Sequence, residues 1–330
     1  MKSPIRKYSR RAIRAAARII KSGNLVAFPT ETVYGLGANV YNARAIAKIF
    51  KLKGRPSDNP IIVHIADSGE LARIARAIPA NAYRLAAKFW PGPLTLVLKK
   101  SAIIPKIVTA GRETVAVRLP QSRIARALIK AAGVPIAAPS ANRSGYPSPT
   151  TANHVYEDFG PQAPMIIDGG RSRIGLESTV IDLTRRRPII LRPGAITQKD
   201  LQRCLKIPVE IHIGRVRRAL APGQKHRHYA PRARVLIVAN KNRLLQQAKT
   251  LIRKGQRVGI ATTSDWRPKL AKIHLFRIGA KNNLPQIASR IFTMLRAADH
   301  KKIDTLLIRT ISNQGIGRAV MDRLKRAAQK

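Results

Sequence analysis

The sequence predicts a mixed α/β protein of two domains, and three observations carry that expectation. A chain of 330 residues is long for one core. Short apolar runs of strand length alternate with amphipathic segments of helical period along most of it. That rhythm lapses between about 205 and 233 and then resumes. The expected organisation is a first domain at 1–204, a connecting segment at 205–233 and a second domain at 234–330.

Taken in order, residues 10–22 read as an amphipathic helix, because Ile13, Ala16, Ala17 and Ile20 recur at three- and four-residue steps and Gly23 stops it. Leu25 to Phe28 follows as a short buried strand. Further helices are expected at 43–51, 68–77, 80–89, 122–132 and 151–158. Strands at 61–65, 94–98, 115–118, 134–137, 165–167, 179–182 and 189–191 interleave with them. After the lapse, 235–238, 258–261 and 305–308 read as strands, and 241–254, 283–298 and 319–328 as helices. That second rhythm suits a small Rossmann-like parallel sheet with crossover helices.

Net charge is the outlier, with 63 Lys and Arg against 16 Asp and Glu giving +47. Such a field would attract nucleic acid, ATP and other polyanions. The excess runs through both halves, so a generally basic composition and selected RNA contact both stay open. Five of the few acids, Glu31, Asp58, Asp168, Glu177 and Asp182, fall inside motif-like segments, a hint of local jobs. No apolar stretch approaches the roughly 20 residues of a membrane span. The basic N-terminus leads into Ile, Ala and charges instead of an apolar signal core. A cytoplasmic protein without a membrane partner is therefore expected. The single Cys204 excludes an internal disulfide and a cysteine-built zinc site.

Two segments carry site chemistry, Phe28-Pro-Thr-Glu-Thr-Val-Tyr-Gly-Leu-Gly37 and Ala137-Ala-Pro-Ser-Ala-Asn142. Each sets small polar side chains among Gly, Pro and Ala where an apolar run ends, so a ligand can approach the backbone closely. Lys53 and Arg55 flank Gly54 ahead of Pro-rich backbone, which suits a phosphate clamp: Arg55 forks onto two oxygens and Lys53 acts as a mobile point charge. A solvated basic face is the plainer explanation in so basic a chain. Arg118 ends an apolar strand and is placed for a substrate carboxylate, unless it merely points to solvent. Ser140 and Asn142 lie on the Pro139 turn, and Ser178 sits at a strand entry, where each could equally be a turn or strand former. His226-Arg-His228 lacks a nearby Cys or acid for a metal site. Gly315-Ile-Gly317 lacks the third glycine of a dinucleotide loop, and helix packing accounts for Gly317.

Several motifs occur in one order over about residues 9–200: Pro29-Thr-Glu-Thr-Val-Tyr-Gly-Leu, Lys53-Gly-Arg-Pro with Asn59-Pro, Trp90-Pro-Gly-Pro-Leu-Thr and Val115-Ala-Val-Arg-Leu-Pro. Ala138-Pro-Ser-Ala-Asn, Pro147-Ser-Pro-Thr, Ile167-Asp-Gly-Gly, Glu177-Ser-Thr and Leu191-Arg-Pro-Gly continue the series. Together they resemble the YrdC-type threonylcarbamoyl-AMP synthase family. Ala221-Pro-Gly-Gln-Lys-His-Arg-His-Tyr-Ala-Pro231 resembles the linker of its two-domain form. The resemblance implies a YrdC-like twisted mixed-sheet domain followed by the small Rossmann-like one. It also implies a reaction in which L-threonine, bicarbonate and ATP give L-threonylcarbamoyl-AMP and pyrophosphate. That product serves tRNA threonylcarbamoyladenosine formation, so tRNA or a tRNA-modifying transferase complex is a candidate partner.

Carried over by motif, the resemblance implies that Thr32, His64, Arg118, Ala138 and Ser178 surround L-threonine. It places Lys53, Arg55, Asn59, Thr114, Ser140, Asn142, Ser148, Arg192 and Tyr229 around ATP, with Mg²⁺ arriving on the nucleotide. The carbamate formed from threonine attacks the α-phosphorus, so no protein nucleophile is needed; no general base stands out, and His64 reads as a positioning group. The segment from Lys225 to Tyr229 is expected to act as a lid on the first domain's pocket. An RNA-binding protein of YrdC-like fold is the alternative: it accounts for the charge but not for the Thr32, Arg118 and Ser178 set.

Overall fold

A computed structural model describes residues 3–212 and 229–329. Lys225, His226, Arg227 and His228 of the expected lid therefore lie outside the described residues. By contacts the chain divides into two units, one of Met1–Ser144, Ser148–Arg173 and Glu177–His226, the other of Gly145–Pro147, Ile174–Leu176 and Arg227–Lys330.

In the first unit, the helices are α1 (Arg10–Lys21), α2 (Ala43–Lys53), α3 (Leu71–Ile74), α4 (Ala80–Phe89), α5 (Lys106–Thr109), α6 (Arg123–Ala132), α7 (Ala152–Phe159) and α8 (Gln198–Leu205). The strands are β1 (Ile5–Lys7), β2 (Val26–Pro29), β3 (Tyr34–Asn39), β4 (Ile62–His64), β5 (Leu94–Lys99), β6 (Thr114–Arg118), β7 (Ile136–Ala137), β8 (Met165–Asp168), β9 (Thr179–Asp182), β10 (Ile189–Arg192) and β11 (Glu210–Ile211). They form one mixed sheet in the order β1-β8-β2-β3-β7-β4-β6-β5-β9-β10-β11. Apolar residues such as Leu36, Ile46, Ile49, Val63, Leu96 and Val117 build the main core. A second cluster seats α1 and α6 through Ile13, Ile20, Leu128 and Ile129 against Phe28 and Ile136.

Local chemistry sets the helix ends that matter for the site. Asn42 caps α2 by accepting from Ala45 N, and Gly54 ends that helix at φ +59°, turning the chain between Lys53 and Arg55. Ser122 caps α6 from Ala125 N and donates its hydroxyl to Pro29 O at 3.0 Å, tying the helix start to the 29–32 loop.

Several expectations need correcting. The helix predicted at 68–77 is a 3₁₀ turn at Ser68–Glu70 plus the short α3, because Ala75 instead bridges to Lys100 in the antiparallel sense. Pro135 confines the 134–137 strand to Ile136–Ala137. The Gly-rich stretch after Val33 forms β3, where Gly37 admits close neighbours: a Cβ there would lie 2.6 Å from Ile136 Cγ2 and 2.7 Å from Phe28 Cε1. Gly317 answers a backbone demand, since a Cβ there would lie 2.0 Å from Ser312 O.

In the second unit, β12 (Arg234–Val238), β13 (Val258–Thr263), β14 (Ile273–Gly279) and β15 (Thr305–Arg309) form an all-parallel sheet in the order β12-β15-β13-β14. Its helices are α9 (Lys241–Arg253), α10 (Leu284–His300) and α11 (Ile316–Ala327). This is the small parallel α/β domain expected. Strand β14 escaped the sequence reading because charged and polar residues interrupt it. Tyr229 belongs to this unit. It is buried at φ +64°, stacks on Phe292 with ring centroids 5.2 Å apart, and lies under the Arg323 guanidinium at 5.5 Å. Its neighbour Ala230 donates to Gly145 O at 2.8 Å.

Candidate active site

Sheet register gathers the candidate residues at one end of the first unit's sheet. Parallel β4 and β6 put His64 opposite Arg118 at their carboxyl ends. Antiparallel β5 starts at that same end, and parallel β9 pairs Thr179 with Leu94 there, which brings Ser178 alongside. Antiparallel β10 returns with Arg192 opposite Val180. Pattern singled out Arg118 and Ser178 and the family resemblance added His64 and Arg192; the register explains why they meet.

Arg118 is the centre of the cluster and is almost wholly buried. Its Nη2 donates to Glu31 Oε1 at 2.6 Å, Nη1 to Thr32 Oγ1 at 2.8 Å, and Nε to Gly92 O at 3.2 Å. It does not point to solvent. Thr32 is further fixed by Thr30, their hydroxyl oxygens 2.8 Å apart. Burial pushes the Glu31 carboxyl up, but the adjacent Arg118 charge and hydrogen bond more than offset this, so it stays ionised below its usual range. His64 is buried edge-on to Phe28, and its Nδ1 makes no hydrogen bond among the described residues. Burial and then the Arg118 charge push it down to about 3, so it is a neutral imidazole at physiological pH.

On the neighbouring strands, the Ser178 and Thr95 hydroxyl oxygens lie 2.7 Å apart. Arg192 donates to Ser178 Oγ and to Ser178 O, both at 3.1 Å. Ser178 therefore does both jobs, starting the strand entry and presenting a fixed hydroxyl. Ala138 lies just beyond β7, with its N–H held by Ile62 O at 2.9 Å.

The basic segment is more rigid than its charge suggested. Lys53 is buried and donates its Nζ to Ser140 O at 2.6 Å and to Asn142 O. Burial, and then the Arg55 charge, push its pKa well down. The expectation of a mobile point charge is thus corrected: Lys53 staples the 139–142 turn to the end of α2. Arg55 donates to Asn59 O at 3.2 Å and Pro60 O at 2.9 Å. Asn59 is buried with both side-chain amide atoms unpaired among the described residues. Ser148 donates to Glu177 Oε1 at 2.5 Å, and Ser140 bridges Gly35. Thr114 begins β6, opposite Lys99 of β5. Four residues of strand put it about 13 Å along β6 from Arg118, and the parallel β4–β6 register carried back sets it across from Pro60, next to Asn59.

Sequence reasoning assigned no role to Thr95, Glu31 or Glu177. The available signal was the scarcity of acids. Glu31, Glu177, Asp168 and Asp182 each hold a specific partner: Arg118, Ser148, the Gly170 N–H at 2.9 Å, and the Thr184 hydroxyl at 2.7 Å.

A mixed-sheet domain with a buried guanidinium pocket beside a basic, amide-lined turn, joined to a small parallel α/β domain, defines a two-domain α/β enzyme. Family comparison makes the class particular. The family described as "Telomere recombination", which unites Sua5, YciO and YrdC, matches residues 18–194, and the threonylcarbamoyl-AMP synthase C-terminal domain matches 196–329. A threonylcarbamoyl-AMP synthase of Pyrococcus abyssi is 45% identical over 324 residues, 96% of this chain and 94% of that protein. One from Bacillus subtilis is 42% identical over 322 residues, 96% of this chain and 92% of its own. The crystal structure of P. abyssi Sua5 complexed with L-threonine is similar at a TM-score of 0.91 and 44% identity, covering 98% of this chain and 96% of that one. The chain belongs to the threonylcarbamoyl-AMP synthase family, and it is an enzyme.

Proposed function

We propose that this enzyme converts L-threonine, bicarbonate and ATP to L-threonylcarbamoyl-AMP and pyrophosphate, the donor for tRNA threonylcarbamoyladenosine. The observation that carries the proposal is the buried Arg118, held by Thr32 and Glu31 beside His64 and Ser178. That pocket suits a small hydroxylated amino acid, and the threonine-bound relative supports the choice. In this reading Thr32, His64, Arg118, Ala138 and Ser178 hold threonine. Arg55, Asn59, Thr114, Ser140, Asn142, Ser148 and Arg192 hold the nucleotide, and Lys53 serves it by bracing the 139–142 turn. Thr114 serves the end of the nucleotide remote from threonine. We place the enzyme in the cytoplasm; no helix among the described residues is long and apolar enough to cross a membrane.

The chain's contribution is alignment and charge neutralisation. Arg118 fixes the amino acid through its carboxylate, while Ser178 and the neutral His64 orient the rest. The α-ammonium first releases a proton to solvent, the neutral amine adds to the bicarbonate carbon with loss of water, and the carbamate oxygen then displaces pyrophosphate at the α-phosphorus. Arg55 and Arg192 face the phosphate charge. Among the described residues no group of three or more His, Cys, Asp or Glu could cage a metal. Mg²⁺ fits instead as the nucleotide's companion, held by phosphate oxygens and water and neutralising phosphate charge when bound.

The test is pyrophosphate release with each reactant omitted in turn. Release that needs ATP, L-threonine and bicarbonate together is expected. Equal turnover without threonine, or with bicarbonate stripped out, would remove the reading.

A further inference from the structure

We infer that Glu31 reads the substrate's α-ammonium and thereby makes the amino-acid pocket selective for a zwitterion over a simple carboxylate. This rests on the threonine reading above and extends it to a residue that there only braces Arg118. Glu31 and Arg118 have side chains only 6% and 4% exposed and form a direct ion pair at 2.6 Å. Among the described residues, Arg118 gives one N–H of each terminal nitrogen to Glu31 and Thr32 and one N–H from Nε to Gly92, which leaves a donor on each Nη for a ligand carboxylate.

Charge arithmetic then selects the ligand. Within the buried Arg118–Glu31 pair the charges cancel, and an uncompensated charge added at such a pair is costly. A ligand bringing only a carboxylate would leave this pair with one negative charge in excess. A zwitterion keeps the sum at zero, provided its ammonium meets the Glu31 carboxylate as its own carboxylate meets Arg118. Glu31 has capacity for that donor: among the described residues Ser122 N reaches its Oε2 only at a long 3.4 Å, the Gln121 and Glu31 N–H groups also face the carboxylate, and its two oxygens together offer about four acceptor sites. It is also the ionised acid this role needs, since Arg118 holds it below the usual carboxylate range against the effect of burial.

The experiment is calorimetric binding of L-threonine and of 3-hydroxybutanoate, which keeps the carboxylate and hydroxyl and lacks the ammonium. The full chain is used as wild type, Glu31→Gln and Glu31→Asp. The wild type should prefer L-threonine by about 10- to 150-fold, the worth of a hydrogen bond to a charged group. Glu31→Gln should bring that preference below about 5-fold while 3-hydroxybutanoate binds at least as tightly as before. Glu31→Asp keeps the charge and should keep most of the preference. Equal weakening of both ligands in Glu31→Gln would mean that Glu31 only props Arg118, and an unchanged preference would overturn the inference outright. If Glu31→Gln fails to fold, the wild type and folded Glu31→Asp decide: a roughly ten-fold or greater wild-type preference that Glu31→Asp largely keeps supports the inference, and equal wild-type affinity for the two ligands, or equal weakening of both in Glu31→Asp, overturns it. Wild-type protein binding neither ligand would instead refute the underlying threonine reading.

Discussion

Replacing Arg118 with alanine should remove threonine use while leaving ATP binding nearly intact. The side chain supplies the carboxylate donors of the pocket, so threonine affinity should fall about 10- to 150-fold, the worth of a charged hydrogen bond. Stability changes too, because the substitution leaves Glu31 buried without the guanidinium now 2.6 Å away. Breaking a buried pair in this way costs about 3–5 kcal/mol. At roughly 2–4 °C per kcal/mol, the first unit's melting transition should drop by ~6–20 °C. The pH dependence gives a sharper signature. In the wild type Glu31 titrates below its usual 4.5, so its contribution is present above that value and lost as the pH falls through the folded one. Without Arg118, burial, the largest influence, is opposed only by the backbone hydrogen bonds from Gln121 and Glu31, and the carboxyl should move above its usual range. Its contribution should then be present at low pH and disappear as the pH rises, opposite in sign to the wild type. Melting curves from pH 4 to 8, with calorimetric titration of threonine and of ATP, provide the assay. A variant that melts like the wild type at every pH and binds threonine within two-fold would refute the reasoning.

Other perturbations separate the parts of the site. Arg55→Ala should show the reverse bias, raising the KM for ATP about ten-fold or more with little effect on threonine; equal changes for both substrates would undo the division of the site. Because His64 is pushed down to about 3, threonine kcat/KM should show no His64 inflection near pH 6.5, and an inflection abolished by His64→Gln would contradict its neutrality. Gly37→Ala should destabilise the first unit by about 1–3 kcal/mol through overpacking against Ile136 and Phe28, checked by urea unfolding.

The parts of this molecule that a sequence reading reaches are those whose signal is local. The amphipathic stripe of Ile13, Ala16, Ala17 and Ile20 is visible along the chain, and all are buried in α1. Arg118 stands out as a cation ending an apolar strand, yet its partner Glu31 is 87 residues away, a pairing that local pattern cannot show. Strand β3 hides for a related reason: Gly35 and Gly37 lower strand propensity, and only the close approach of Phe28 and Ile136 makes their missing side chains an advantage. Lys53 misleads in the other direction. In a chain of +47 a lysine reads as solvated, but the carbonyls of Ser140 and Asn142 draw this one into the interior.

The most direct test of the central claim is the mass of the nucleotide product formed from ATP and L-threonine with ¹³C-bicarbonate. Threonylcarbamoyl-AMP one mass unit heavier than that made with unlabelled bicarbonate, formed in step with pyrophosphate, is expected. A product of threonyl-AMP lacking the extra carbon, or labelled product formed without threonine, would contradict it.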